Sequence, residues 1–181
     1  MKATELAKKP HLYLDMDGVQ ADFFTAWAQH HGKNRYKEIG DKAAREASIT
    51  ALNQKGPEFV QRFFSTLPVL PGGQRLINWV KANGIPFTVL SAPLRNNHEA
   101  SIAGKRTWLD RHNPGTSADA IFTGQKERLA QHGGQPTCWW MTTKSTYKVG
   151  QMPAVMLFCT VMLMLTMLSS NWQRSTTSIN N

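Results

Sequence analysis

Acidic residues run out early in this chain. The last of twelve is Glu127, and the 54 positions that follow carry neither Asp nor Glu. Cysteine is nearly absent as well: Cys138 and Cys159 are the only two, and their spacing matches neither a zinc site nor a disulfide framework. The opening stretch MKATELAKKPHLYLD has no apolar run of the kind a secretory signal needs, so a cytoplasmic protein is expected. Internal repeats and low-complexity tracts are missing before the tail. The net charge of +9 is spread over 181 residues, and within residues 1–136 the excess of bases over acids is only six. That balance favours anionic ligands weakly and calls for no nucleic-acid partner.

What is present is a chain of single-domain length with a hydrophobic share of 41%, enough to bury a core. HLYLD, His11 to Asp15, reads as a buried strand that meets a loop at an acid. ADFFTAWAQHHG follows as a helix closed by a glycine. Residues from about 33 to 66 are polar with helical patches, ending in a helix opened by Pro57 and stopped by Pro68. PGGQRLINWVKANG is an amphipathic helix with Leu76, Trp79 and Val80 on one face. IPFTVLSAP then reads as a strand, HEASIAGKRTWLDRH as a helix, ADAIFTG as a strand and QKERLAQHGG as a helix. Strands alternating with helices predict an α/β protein whose parallel sheet is covered on both faces.

Ligands of such sheets bind beyond the carboxyl ends of the strands, which directs attention to Asp15, Asp17 and Ser91. In LDMDGV the two carboxylates stand two residues apart, on the same side of an extended chain, and Gly18 lets the backbone turn directly afterwards. Two negative charges so close invite a cation, and Mg2+ accepts carboxylate and phosphate oxygens together. A calcium loop is excluded, because Val19 and Gln20 stand where it needs an acid or amide and a glycine. A plain turn at the strand end remains the alternative. His30 and His31 are adjacent, do not face one another on a helix, and are read as surface or cap residues.

With these motifs the sequence resembles the haloacid-dehalogenase-like (HAD) phosphatase superfamily, whose first motif is a strand followed by Asp-x-Asp-Gly-Val. DMDGVQADFF, FFSTLPVLPGG and FTVLSAP together look most like the 5'(3')-deoxyribonucleotidase group, over about residues 10–136. The resemblance implies a parallel HAD-like (Rossmannoid) sheet with a small helical cap inserted after the first strand, at about residues 20–66. It implies Mg2+-dependent hydrolysis of a (deoxy)nucleoside monophosphate through an aspartyl phosphate. Asp15 would be the nucleophile, Asp17 the acid/base, and both would ligate the metal. Ser91 would donate a hydrogen bond to the phosphoryl group; the other reading of Ser91 is a turn cap. The third-motif lysine would be Lys126, with Lys105 as second choice. Phe23 would face the substrate, against the alternative that it is core. The cap offers Tyr36 but no neighbouring Phe-Trp pair, a departure from the group. The expected partner is a small phosphate ester, a nucleotide in particular, with neither nucleic acid nor membrane.

The family's fourth motif, a strand ending in one or two acids that complete the magnesium site, should follow QKERLAQHGGQP. The chain instead reads TCWWMTT. Trp and Met have one codon each, so WWMT is written TGG TGG ATG ACN, and from the third base this contains GTG GAT GAC, Val-Asp-Asp. Upstream, Thr-Cys-Trp gives NTG and then YTG in the same frame, so the alternative product is an apolar residue, Leu, Val, Asp, Asp. Residues 137–181 are therefore read as a frameshifted tail, expected to lose the fourth-motif strand and to leave the chain poorly soluble and nearly inactive. The competing account is a membrane anchor over Met152 to Leu168, 17 residues without charge but interrupted by Pro153. The function classes left open are thus an active phosphatase, an impaired remnant of one, and a tail-anchored protein.

Overall fold

The computed structural model describes residues 11–129, 131–132 and 135–140. Their elements run β1 (His11–Leu14), α1 (Phe23–His30), a single-turn helix (Tyr36–Ile39), α2 (Lys42–Asn53), α3 (Pro57–Ser65), α4 (Pro71–Ala82), β2 (Phe87–Ser91), α5 (His98–His112), β3 (Ile121–Phe122), a second single turn (Lys126–Leu129), β4 (Gln131–His132) and β5 (Gln135–Trp140). The sheet order is β3-β2-β1-β5-β4. Its β1–β2, β1–β5 and β2–β3 pairings are parallel, and β4 alone runs antiparallel to β5. This is the α/β architecture predicted from the alternation of elements, with α1, α2 and α3 forming the insertion between β1 and α4.

Each face of the sheet has its own apolar cluster. Leu12 and Leu14 of β1 pack with Leu76, Ile77 and Val80, the inward stripe of α4. On the other side Trp27, Phe64, Trp108 and Leu109 join α1, α3 and α5 in a larger cluster. A sheet covered on both faces leaves its strand ends as the open route to solvent, which is where the site forms.

α3 and α5 lie unusually close. A Cβ on Gly104 would stand 2.4 Å from the carbonyl oxygen of Gln61 and 2.9 Å from the Phe64 Cβ, so only glycine allows the contact. The insertion is also tied to the core by polar contacts: Asn53 Oδ1 accepts the amides of Arg95 and Asn96, and the Asn97 side chain donates to the carbonyls of Asn53 and Lys55. Gly104→Ala is expected to force the two helices apart at a cost of about 1–3 kcal/mol. A melting temperature equal to that of the parent protein would show that the contact is not tight.

Two expectations are corrected. The segment QKERLAQHGG forms a single turn and then β4, because Gln131–His132 pairs back onto Gln135–Pro136. The Gly133-Gly134 pair between them is itself a two-residue hairpin signal. The strand expected in ADAIFTG is present, over Ile121–Phe122. The strand expected to be lost is kept: Gln135–Trp140 forms β5 beside β1, since Thr-Cys-Trp-Trp is β-prone in its own right. The stretch Met152 to Leu168 lies outside the described residues, and among the described ones no helix is long and apolar enough to cross a membrane.

Candidate functional site

β1 delivers Asp15 to the carboxyl edge of the sheet, and the chain then folds into a tight loop. The amides of Val19, Gln20 and Ala21 all point to the Met16 carbonyl, and the Gly18 amide donates to the Ala21 carbonyl at 2.7 Å. Gly18 has φ 74°, a left-handed conformation that side chains with a Cβ rarely adopt. The segment before α4 clamps this loop: the Asp22 amide donates to Pro68 and the Leu70 amide to Gln20. A Cβ on Gly73 would lie 2.0 Å from the Val19 carbonyl oxygen, so this glycine lets α4 begin directly against the loop. The motif VLPGG thus holds DMDGV in shape.

Five of the sequence-predicted residues meet here. Lys126 Nζ is 2.9 Å from Asp15 Oδ2, while the Met16 amide donates to Asp15 Oδ1 at 2.8 Å. Lys105, fully buried at mid-helix in α5, donates to Asp17 Oδ2 at 2.7 Å, to Ser91 Oγ at 2.8 Å and to the Ala92 carbonyl at 2.7 Å. All three of its N–H donors are therefore committed, and its ammonium stands 4.8 Å from the centre of the Phe64 ring. The Ser91 hydroxyl lies 3.5 Å from Asp17 Oδ2, at the outer limit of a hydrogen bond, and is fully buried. Lys126 keeps 17% of its side chain in solvent, which makes it the ammonium that an incoming anion can reach.

Burial pushes the Asp15 carboxyl above its ordinary value; the Lys126 ammonium acts against this, and the neighbouring Asp17 adds to it. Phe23 is enclosed, its ring 6.0 Å from Phe64 in a stack and edge-on to Phe24 and Phe63. Tyr36 meets Phe24 edge-on at 5.1 Å. His30 and His31 are exposed and both lie against Trp27, and His30 also lines the groove between α1 and α3. A groove of about 430 Å³ between α1 and α3, lined by Gln29, Phe59, Arg62 and Thr66 among others, includes none of the five site residues.

Two supporting residues escaped the sequence reading. Gln20 donates to the Asp15 carbonyl at 3.1 Å and accepts from Asn113 at 2.9 Å, and both side chains are buried. Together they fix the backbone from which the Asp15 carboxylate projects. For Lys105 a signal existed: Ser101, Gly104, Lys105, Trp108 and Leu109 are the buried positions of α5, so this lysine falls inside the stripe that faces the core.

The donor set falls short of a Mg2+ site. Asp17 Oδ1 is buried with no hydrogen-bond partner, an oxygen suited to a cation. Asp15 and Asp17 are otherwise each matched by an ammonium, and among the described residues no group of three His, Cys, Asp or Glu could hold a metal. A hard cation that demands six oxygens finds one unengaged carboxylate oxygen and no third acid.

The model of the family described as "5' nucleotidase, deoxy (Pyrimidine), cytosolic type C protein" matches residues 9–132. No curated protein matches the chain.

Proposed function

Because the chain belongs to this family of cytosolic type C 5' nucleotidases, we propose that it hydrolyses (deoxy)nucleoside monophosphates through an aspartyl phosphate on Asp15. The observation that carries this reading is the pairing of the two acids with two different lysines, one solvent-accessible and one buried. A phosphoryl group approaching Asp15 meets the Lys126 ammonium, whose charge offsets that of the phosphoryl oxygens. Asp15 Oδ2 attacks phosphorus and the bond to the ester oxygen breaks, the leaving oxygen taking a proton that Asp17 has to carry into the step, and the nucleoside departs. Water then attacks the same phosphorus, Asp17 takes its proton, and inorganic phosphate leaves with Asp15 restored. Lys105 holds Asp17 in position for both transfers, and Ser91 holds Lys105.

Mg2+ is proposed only as the cation that the family implies: Asp15 and Asp17 are the residues that would hold it, although each is matched by an ammonium in this structure. A cytoplasmic location is proposed from the family's cytosolic type. The core residues contact only the phosphoryl group, so the inserted helices decide which ester enters. Nucleoside monophosphates are expected to be cleaved in preference to small sugar phosphates. A panel of phosphate esters assayed for phosphate release tests this, and the reverse order of preference would move the protein to another branch of the superfamily.

A further inference from the structure

We infer that Gln20, oriented by Asn113, is a positioning residue for the carboxylate of Asp15: it holds the peptide unit between Asp15 and Met16 so that Oδ1 is engaged and Oδ2 is presented to the phosphoryl group. This rests on the nucleotidase reading of the same site. A trans peptide unit is planar and its carbonyl and amide point in opposite directions, so a grip on one end aims the other. Here both ends are in use. Gln20 Nε2 donates to the Asp15 carbonyl at 3.1 Å, and the Met16 amide of the same unit donates to Asp15 Oδ1 at 2.8 Å. The Asp15 side chain is thus tied to its own backbone through one oxygen, which leaves Oδ2 for Lys126 and the incoming phosphorus.

The grip has a fixed polarity. A carbonyl only accepts, so the Gln20 amide turns Nε2 to Asp15 and Oε1 away, and Asn113 Nδ2 meets that Oε1 at 2.9 Å. Gln20 and Asn113 are each 1% exposed, which shuts both off from bulk water, and aligned amides in such a buried chain polarise one another. Neither residue is free to drift. The Gln20 backbone amide donates to the Met16 carbonyl at 2.9 Å and its carbonyl accepts the Leu70 amide at 2.8 Å. The Asn113 amide donates to the Leu109 carbonyl at 2.7 Å, and its carbonyl accepts the Thr116 hydroxyl at 2.7 Å.

Asn113 caps α5, the helix that carries Lys105 about two turns earlier. One helix therefore reaches both acids, Asp17 through the Lys105 ammonium and Asp15 through Asn113 and Gln20. A rigid element anchored to each acid sets how the two carboxylates stand to one another. Packing alone does not require this arrangement: an apolar pair of similar shape would fill the same space but would leave the Asp15 carbonyl without the Gln20 donor.

Gln20→Leu and Asn113→Leu in the full chain test this, with thermal melts to show that each variant is folded. Two readouts are taken. In isotope-labelled protein, hydrogen exchange of the Met16 amide is expected to quicken at least about tenfold in Gln20→Leu, while the Leu12 amide, which donates to the Pro86 carbonyl, serves as the unchanged reference. In kinetics, kcat per folded protein with a nucleoside monophosphate is expected to fall by about tenfold to a hundredfold with KM held within about twofold, because the aim of the attacking oxygen is felt in the chemical step and not in substrate binding. Asn113→Leu is expected to act in the same direction to a smaller extent, and to change little further when added to Gln20→Leu. Where Gln20→Leu does not fold, Asn113→Leu carries the test with the same two readouts. Unchanged exchange at Met16 in a folded variant overturns the inference whatever the activity, and so does faster exchange with kcat unchanged. Faster exchange at Met16 in variants of a chain that releases phosphate from no nucleoside monophosphate upholds the inference and overturns the nucleotidase reading.

Discussion

Asp15→Asn is expected to lower nucleotide hydrolysis by on the order of a thousandfold or more, the scale on which loss of a nucleophile is felt. The amide cannot form the acyl phosphate, and it also removes the negative charge that holds Lys126 at 2.9 Å. The fold is expected to survive the change. An asparagine oxygen can still accept the Met16 amide, Lys126 retains its access to water, and burial already disfavours the charged form of this side chain. The measurement is phosphate release per folded protein, with a thermal melt as control. Activity equal to that of the parent would rule out Asp15 as nucleophile and with it the covalent route.

Lys105→Met is expected to be the most destabilising single change in the site. The substitution nearly preserves volume but strips the donors from Asp17 Oδ2, Ser91 Oγ and the Ala92 carbonyl at once. Breaking one partner out of a buried pair costs about 3–5 kcal/mol, because the other charge is left behind. For a domain of this size that corresponds to a fall in melting temperature on the order of 10 °C. Lys105→Arg keeps the charge but replaces a compact ammonium that donates to three acceptors with a planar fork, so only partial rescue is expected. The pair Lys105→Met with Asp17→Asn should lose less than the two single changes added together. Full additivity would mean that the two side chains are not coupled, and the account of Asp17 as a positioned acid would fail.

The site was legible in the sequence where chemistry coincided with a strand end. Asp15 and Asp17 follow from spacing alone, and Ser91 from closing β2. Lys126 and Lys105 were treated as rivals for one role, whereas they stand on different acids. A sequence shows that a lysine falls on a helix but not which carboxylate lies across the helix from it, since that depends on how closely α3 and α5 approach at Gly104. Gln20 and Asn113 were invisible for a similar reason: their partnership spans 93 positions of chain and is made by tertiary packing. Among the elements, α5 was read with its observed limits and β3 was found within ADAIFTG, while the segment after β3 was misjudged because a single turn followed by a two-residue strand carries almost no periodicity.

The persistence of β5 has a consequence for an error of reading frame at this point. Cysteine and tryptophan codons begin with TG, and a base taken early moves that pair to the last two places, where every codon specifies leucine, methionine or valine. Cys138 to Trp140 therefore yield apolar residues in either frame, so the positions opposite Leu12, Tyr13 and Leu14 of β1 suit a strand in both. A slip here leaves the apolar character of the strand unchanged up to Trp140.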